Sequence, residues 1–148
     1  MEYVEALNDY QGNKKSLFLA GGITNCPDWQ SELVSMLQGQ DIAVYNPRRK
    51  NFPIHDPSAA EKQIRWEHDK LRKADAISFW FPKETLCPIV LYELGKWTMS
   101  DKPLFIGIDP AYQRRQDVEI QTMLERPDAK LVYDLQSLAG QIKGWAKQ

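Results

Sequence analysis

The chain has 148 residues, 43% of them hydrophobic and 26% charged, with a formal net charge of -1. That length fits one domain able to bury a core without metal or disulfide staples, and the usage is ordinary for a globular protein. The near-neutral balance argues against a chain drawn electrostatically to nucleic acid polymers or anionic membranes, and Cys26 and Cys87, with no CxxC spacing, make neither a zinc site nor a disulfide framework.

Residues 1–15 are polar and irregular and read as an N-terminal arm. There is no cationic start followed by an apolar stretch, and no apolar run approaches the roughly 20 residues of a membrane span, so a reducing cytoplasm is the expected compartment. The apolar run Ser16–Ala20, stopped by Gly21 and Gly22, predicts the first strand. A loop through Thr24 and Asn25 enters a helix capped at Asn25 or Cys26, with Pro27 in its first turn and Asp28 favoured by the helix dipole. Trp29, Leu33, Val34, Met36 and Leu37 give that helix its apolar face, and Gly39 ends it.

Ile42–Tyr45 predicts the second strand, followed by a loop carrying Arg48, Arg49, Lys50 and Phe52. Ser58–Lys73 reads as a helix and Asp75–Phe81 as a buried third strand. Pro88 suits the first turn of the next helix, which carries Glu93 and runs to about Ser100. Pro103–Ile108 is a fourth strand, Asp117–Leu124 a helix, Lys130–Tyr133 a short fifth strand and Leu135–Ala146 a closing helix. Five β-α units with short connections predict an α/β fold, a doubly wound parallel sheet with helices on both faces.

In such sheets ligands bind beyond the carboxyl ends of the strands. Glu93 falls about a turn and a half into a helix just past a central strand, where a carboxylate can attack or stabilise an electron-poor carbon. Its ordinary reading is an acid favoured by the helix N-terminus. Gly21 and Gly22 let a ligand approach the backbone before a helix start, though the loop matches neither a Walker nor a GxGxxG pattern. Glu67, in Ile64-Arg65-Trp66-Glu67, reads on its own as a solvated helix acid. Arg48 and Arg49 can grip a phosphate or carboxylate, or stand as exposed loop charges. Trp80 and Phe81, at the end of the third strand, are the candidates to stack on a planar ring such as a nucleobase.

Taken together, Leu17-Phe18-Leu19-Ala20-Gly21-Gly22-Ile23, Asn46-Pro47-Arg48-Arg49, Trp66-Glu67 with Ala74-Asp75, Phe79-Trp80-Phe81-Pro82 and Tyr92-Glu93-Leu94-Gly95 resemble the nucleoside 2-deoxyribosyltransferase-like family. The resemblance spans roughly residues 16 to 133. It implies a flavodoxin-like fold with a five-stranded parallel sheet, chemistry at the N-glycosidic bond of a nucleoside or nucleotide, no cofactor, and a homo-oligomer. It implies that Glu93 attacks the anomeric carbon. Glu67, eight positions before Asp75, would orient the sugar or help the leaving base; relatives commonly have aspartate there. Gly21, Gly22 and Ile23 match the sugar-side loop, Phe18 stands where some relatives have a tyrosine, and Cys87 falls where relatives place a polar pocket residue. The serine and arginine that monophosphate-hydrolysing relatives carry in the first loop are here Gly22 and Thr24, which leaves Arg48 or Arg49 for any anion contact. Tyr112 to Asp117 is the segment expected to reach a neighbouring subunit.

N-glycosidic cleavage builds positive charge on the sugar, which a fixed carboxylate beneath C1 stabilises or captures as a glycosyl ester. On this reading Glu93 stays ionised, while burial raises the pKa of Glu67 so that it can protonate the leaving base. Transfer and hydrolysis remain alternatives at this level. So does a nucleotide-binding module without catalysis. A flavin carrier on the same fold is disfavoured, because only Thr24 supplies a hydroxyl to the first loop.

Overall fold

The computed structural model describes all of residues 1–148. The first strand, β1 (Glu2–Glu5), lies in the segment expected to be an irregular arm. It pairs in parallel with β3 (Ile42–Asn46), from Glu2 opposite Ala43 to Glu5 opposite Asn46. Of its four residues only Val4 is buried, so β1 is an edge strand with acids at both ends. The Tyr3 hydroxyl accepts a hydrogen bond from Asn46 Nδ2 at 3.0 Å, which ties the edge in place.

β2 (Lys15–Gly21) and β4 (Ala76–Phe81) are central, and β5 (Leu104–Ile108) closes the other side. The order is β1-β3-β2-β4-β5, with every pairing parallel. The fold is thus α/β and flavodoxin-like. Asp75 fastens the start of the central pair, its carboxylate accepting from the Ser16 amide at 2.7 Å and the Ser16 hydroxyl at 3.1 Å. The expected strand at Lys130–Tyr133 is reduced to one bridge, Gly107 to Val132. Asp134 ends it by capping the final helix, α5 (Leu135–Ala146), where its carboxylate accepts from Ser137 N. The sheet has five strands, but the fifth comes from the N-terminus.

The remaining helices are α1 (Trp29–Met36), α2 (Ala59–Lys73), α3 (Pro88–Thr98) and α4 (Arg115–Glu125). The cap of α1 is Asp28, not Asn25 or Cys26: its carboxylate accepts from the Ser31 amide at 3.2 Å and the Ser31 hydroxyl at 2.7 Å. Alternation along the strands divides the core into two layers. Phe18, Ile77, Phe79 and Phe81 pack against Trp66, Leu71, Val90, Leu94 and Val118 from α2, α3 and α4. Leu17, Leu19, Ile42, Val44 and Trp80 face α1 and α5. No helix is long and apolar enough to cross a membrane.

Candidate functional site

Because β2 leads out toward β3 on one side while β4 lies on its other side, a crevice opens at the carboxyl ends of the β2–β4 pair. A cavity of about 310 Å³ occupies it. Phe18, Gly21, Gly22, Ile23, Cys87, Glu67 and Glu93 all line this cavity, together with Pro47 and Thr85. Residues from β2, the first loop, α2 and α3 therefore converge on this cavity.

The two glycines are required by the protein's own packing. A Cβ on Gly21 would stand 2.2 Å from the Trp29 ring and 2.6 Å from the Trp80 carbonyl oxygen. One on Gly22 would meet Pro82 Cγ at 2.8 Å and Cys87 Sγ at 3.0 Å. The first loop is braced from behind. The Gly22 carbonyl accepts from Trp29 Nε1 at 2.8 Å and from Gln30 Nε2 at 3.1 Å.

Arg48 belongs to this brace. Its guanidinium donates to the carbonyls of Ile23 (2.6 Å), Cys26 (2.9 Å) and Pro27 (2.8 Å), and to Gln30 Oε1 at 2.9 Å. It does not line the cavity, and its donors serve the loop rather than a substrate anion. Trp80 and Phe81 are also elsewhere. Trp80 faces α5 on the opposite side of the sheet. Phe81 is wholly buried against the Tyr112 ring, 5.1 Å away between centroids. The flat apolar surface inside the cavity is Phe18. Tyr112 is held within its own chain as well, buried and donating its hydroxyl to the Leu86 carbonyl at 2.6 Å. That bond anchors the loop that delivers Thr85 and Cys87.

Cys87 is the N-cap of α3 and adopts left-handed backbone angles, φ 52° and ψ 56°. A side chain in that region costs of order 1–2 kcal/mol. Burial pushes its thiol up to about 12, so at neutral pH it is a protonated, unreactive group whose Sγ approaches the Thr85 carbonyl at 3.6 Å.

The carboxyl pair sets the electrostatics. Burial, with Glu67 close by, pushes Glu93 up from 4.5 to about 8, and Lys96 opposes this only in part. Burial also raises Glu67, opposed by Gln63 one helical turn earlier. The expectation for Glu67 agrees with this direction. The expectation that Glu93 is ionised at rest does not: desolvation beside a second acid favours its protonated form. Near neutral pH the pair therefore retains a proton. Such a site can present a carboxylate and an acid to the same ligand. No three His, Cys, Asp or Glu side chains gather in a way that could hold a metal ion.

Gln63 is the neighbour of this pair that sequence reasoning did not single out, whereas Arg49, expected there as an anion contact, does not line the cavity and donates to Gln63 Oε1 instead. Gln63 lies at i−4 from Glu67, and that spacing on a helix is the one signal that could have found it.

A comparison with curated proteins found no match. A family model described as nucleoside 2-deoxyribosyltransferase like matches residues 14–112, more than half of the chain and including every element that lines the cavity, and the chain belongs to that family.

Proposed function

We propose that the protein is an N-glycosyl enzyme that cleaves the bond between base and sugar in a nucleoside or nucleotide, with Glu93 as nucleophile and Glu67 as the acid and base. The observation that carries this reading is the meeting of two carboxyl groups in one cavity at the carboxyl edge of the sheet, one of them pushed up to about 8 by burial and by the other. A pair sharing one proton has what both halves of the reaction need. With the proton on Glu67, a Glu93 oxygen attacks C1 of the sugar. The C1–N bond breaks, its electrons go to the base, and Glu67 gives the departing nitrogen the proton. An acceptor base or water then attacks C1, Glu67 takes its proton, and the Glu93 carboxylate is released. Excluding water favours transfer over hydrolysis. Gly21, Gly22, Ile23 and Phe18 form the wall against which the sugar and base would rest, with Cys87 buried beside Gly22.

The assembly belongs to the same proposal. The outer faces of α3 and α4 leave Tyr92, Met99, Met123 and Leu124 between 60% and 79% exposed. Met99 and Leu124 also line a groove of about 500 Å³ between the two helices. A second copy of the chain is the proposed cover.

A panel of ribo- and deoxyribonucleosides and their 5′-monophosphates, with and without an added acceptor base, tests the activity by chromatography of released bases. Base release is expected with at least one member, and exchange with the acceptor distinguishes transfer from hydrolysis. Glu93→Ala should lower the rate by at least 10³-fold, the order lost with a covalent nucleophile. Full activity in folded Glu93→Ala protein would overturn the assignment, and no release from any member would leave a binding module.

A further inference from the structure

Two neighbours of the carboxyl pair lie outside the cavity wall and are bonded to each other. Arg49 follows β3, and its Nε donates to Gln63 Oε1 at 3.0 Å. The Gln63 Nε2 donates to the Pro47 carbonyl at 2.8 Å. Pro47 lines the cavity, and Gln63 is one turn before Glu67 on the same face of α2.

The chemistry of the donors fixes the orientation. A guanidinium has only hydrogens to offer, so the oxygen of the Gln63 amide must face Arg49. Its NH2 group must then face the cavity side, where Pro47 takes one hydrogen and Glu67 is the neighbour for the other. Arg49 accepts a cost in this position. Its Nη2 is buried without any hydrogen-bond partner, a condition rare enough in folded proteins to require a reason. Its guanidinium carbon lies 4.9 Å from the centre of the Phe52 ring, which holds the plane in place.

We propose that Arg49 and Gln63 are a positioning pair that orients a hydrogen-bond donor at Glu67 and thereby decides which member of the Glu67–Glu93 pair holds the shared proton at rest. The inference rests on the reading of those two acids as a working pair. No hydrogen-bond donor bears on Glu93, where burial, Glu67 and Lys96 act, whereas the Gln63 amide stands beside Glu67 and opposes the effect of its burial. A donor favours the ionised form of the group it meets. The resting proton therefore sits on Glu93 and crosses to Glu67 when a substrate displaces the balance. The ionisable groups that bear on the pair are the two acids themselves, Lys96 from α3, and Arg49 acting through Gln63, while Cys87 on the same cavity wall stays protonated at neutral pH. The lining residues of β2 and the first loop, Phe18, Ala20 and Gly21 to Thr24, carry none.

The test is a carboxyl-carbon NMR titration of Glu67 in the substrate-free protein, comparing wild type, Gln63→Met, Arg49→Met and the double variant. Gln63→Met keeps length and removes the donor. The Glu67 titration should move up by about one pH unit, the scale of a lost hydrogen bond to a charged group. Arg49→Met frees the amide to turn and should give a smaller upward shift. Adding Arg49→Met to Gln63→Met should add nothing, because the arginine acts only through the glutamine. Gln63→Met protein that folds and leaves the Glu67 titration unchanged would overturn the proposal. Arg49→Met shifting Glu67 equally in both backgrounds would also overturn it. In the active enzyme the acid limb of kcat/KM should move with the Glu67 titration, which a loss of packing alone would not produce. The titration needs no substrate, so a wild-type protein inert toward every nucleoside would remove the proposed activity without deciding this point.

Discussion

A carboxyl group taken out of water beside another carboxyl is least costly when it keeps its proton. Glu93 is in that position, with its ordinary value of 4.5 raised to about 8. Between those two values the unfolded chain has released the proton and the folded one has not, so stability must fall as pH rises across that window. Glu93→Gln cannot lose a proton there. Its unfolding free energy should match that of the wild type near pH 5 and exceed it by about 1–3 kcal/mol at pH 9, measured by urea denaturation across pH. Equal slopes for the two proteins would mean that Glu93 is ionised in the fold at neutral pH. The sequence exposes the position of Glu93, because Pro88 marks the helix start and an unbroken apolar strand precedes it. It does not expose the ionisation, which depends first on burial in the fold and then on Glu67 arriving from a different helix.

Among the elements, the first loop is held by more side-chain bonds than its sequence suggests. Arg48 follows a strand and stands beside a second arginine, which reads as a grip for an anion. In the fold its hydrogens go to backbone oxygens of Ile23, Cys26 and Pro27, and no pattern of residue types announces a carbonyl as a partner. Arg48→Met leaves the Ile23 and Cys26 oxygens without a donor and Pro27 with only the Trp29 amide. It should lower stability by about 2–3 kcal/mol, as for losing charge-assisted hydrogen bonds at a mostly buried group, and raise KM more than it lowers kcat. A stability change below the error of thermal denaturation would show that the brace is dispensable. Trp80 and Phe81 teach a related lesson. Period-two alternation puts adjacent strand residues on opposite faces, so they could not both reach one ligand. The choice of face depends on which helices cross over on which side, and here neither residue reaches the cavity.

At the scale of the whole molecule, the helical order and the central strands were readable because their apolar runs are long and their stops, Gly21, Gly22, Pro47 and Pro82, are strong. The edges were not. Val132 contributes a single bridge where a strand was expected. β1 has one buried residue and two acids, too little pattern to stand out from a polar arm. The exposed apolar faces of α3 and α4 predict self-association. Light scattering at micromolar concentration should give a mass above that of one chain, and Met99→Lys combined with Leu124→Lys should bring it down to one chain with the fold intact. A wild type that stays single at those concentrations would remove the proposed contact. The placement of β1 has its own consequence for handling the protein. Glu2 and Glu5 stand as gatekeepers at the margin of the sheet. Clipping the first few residues would bare the row of amides and carbonyls along β3, a template on which stray strands can aggregate.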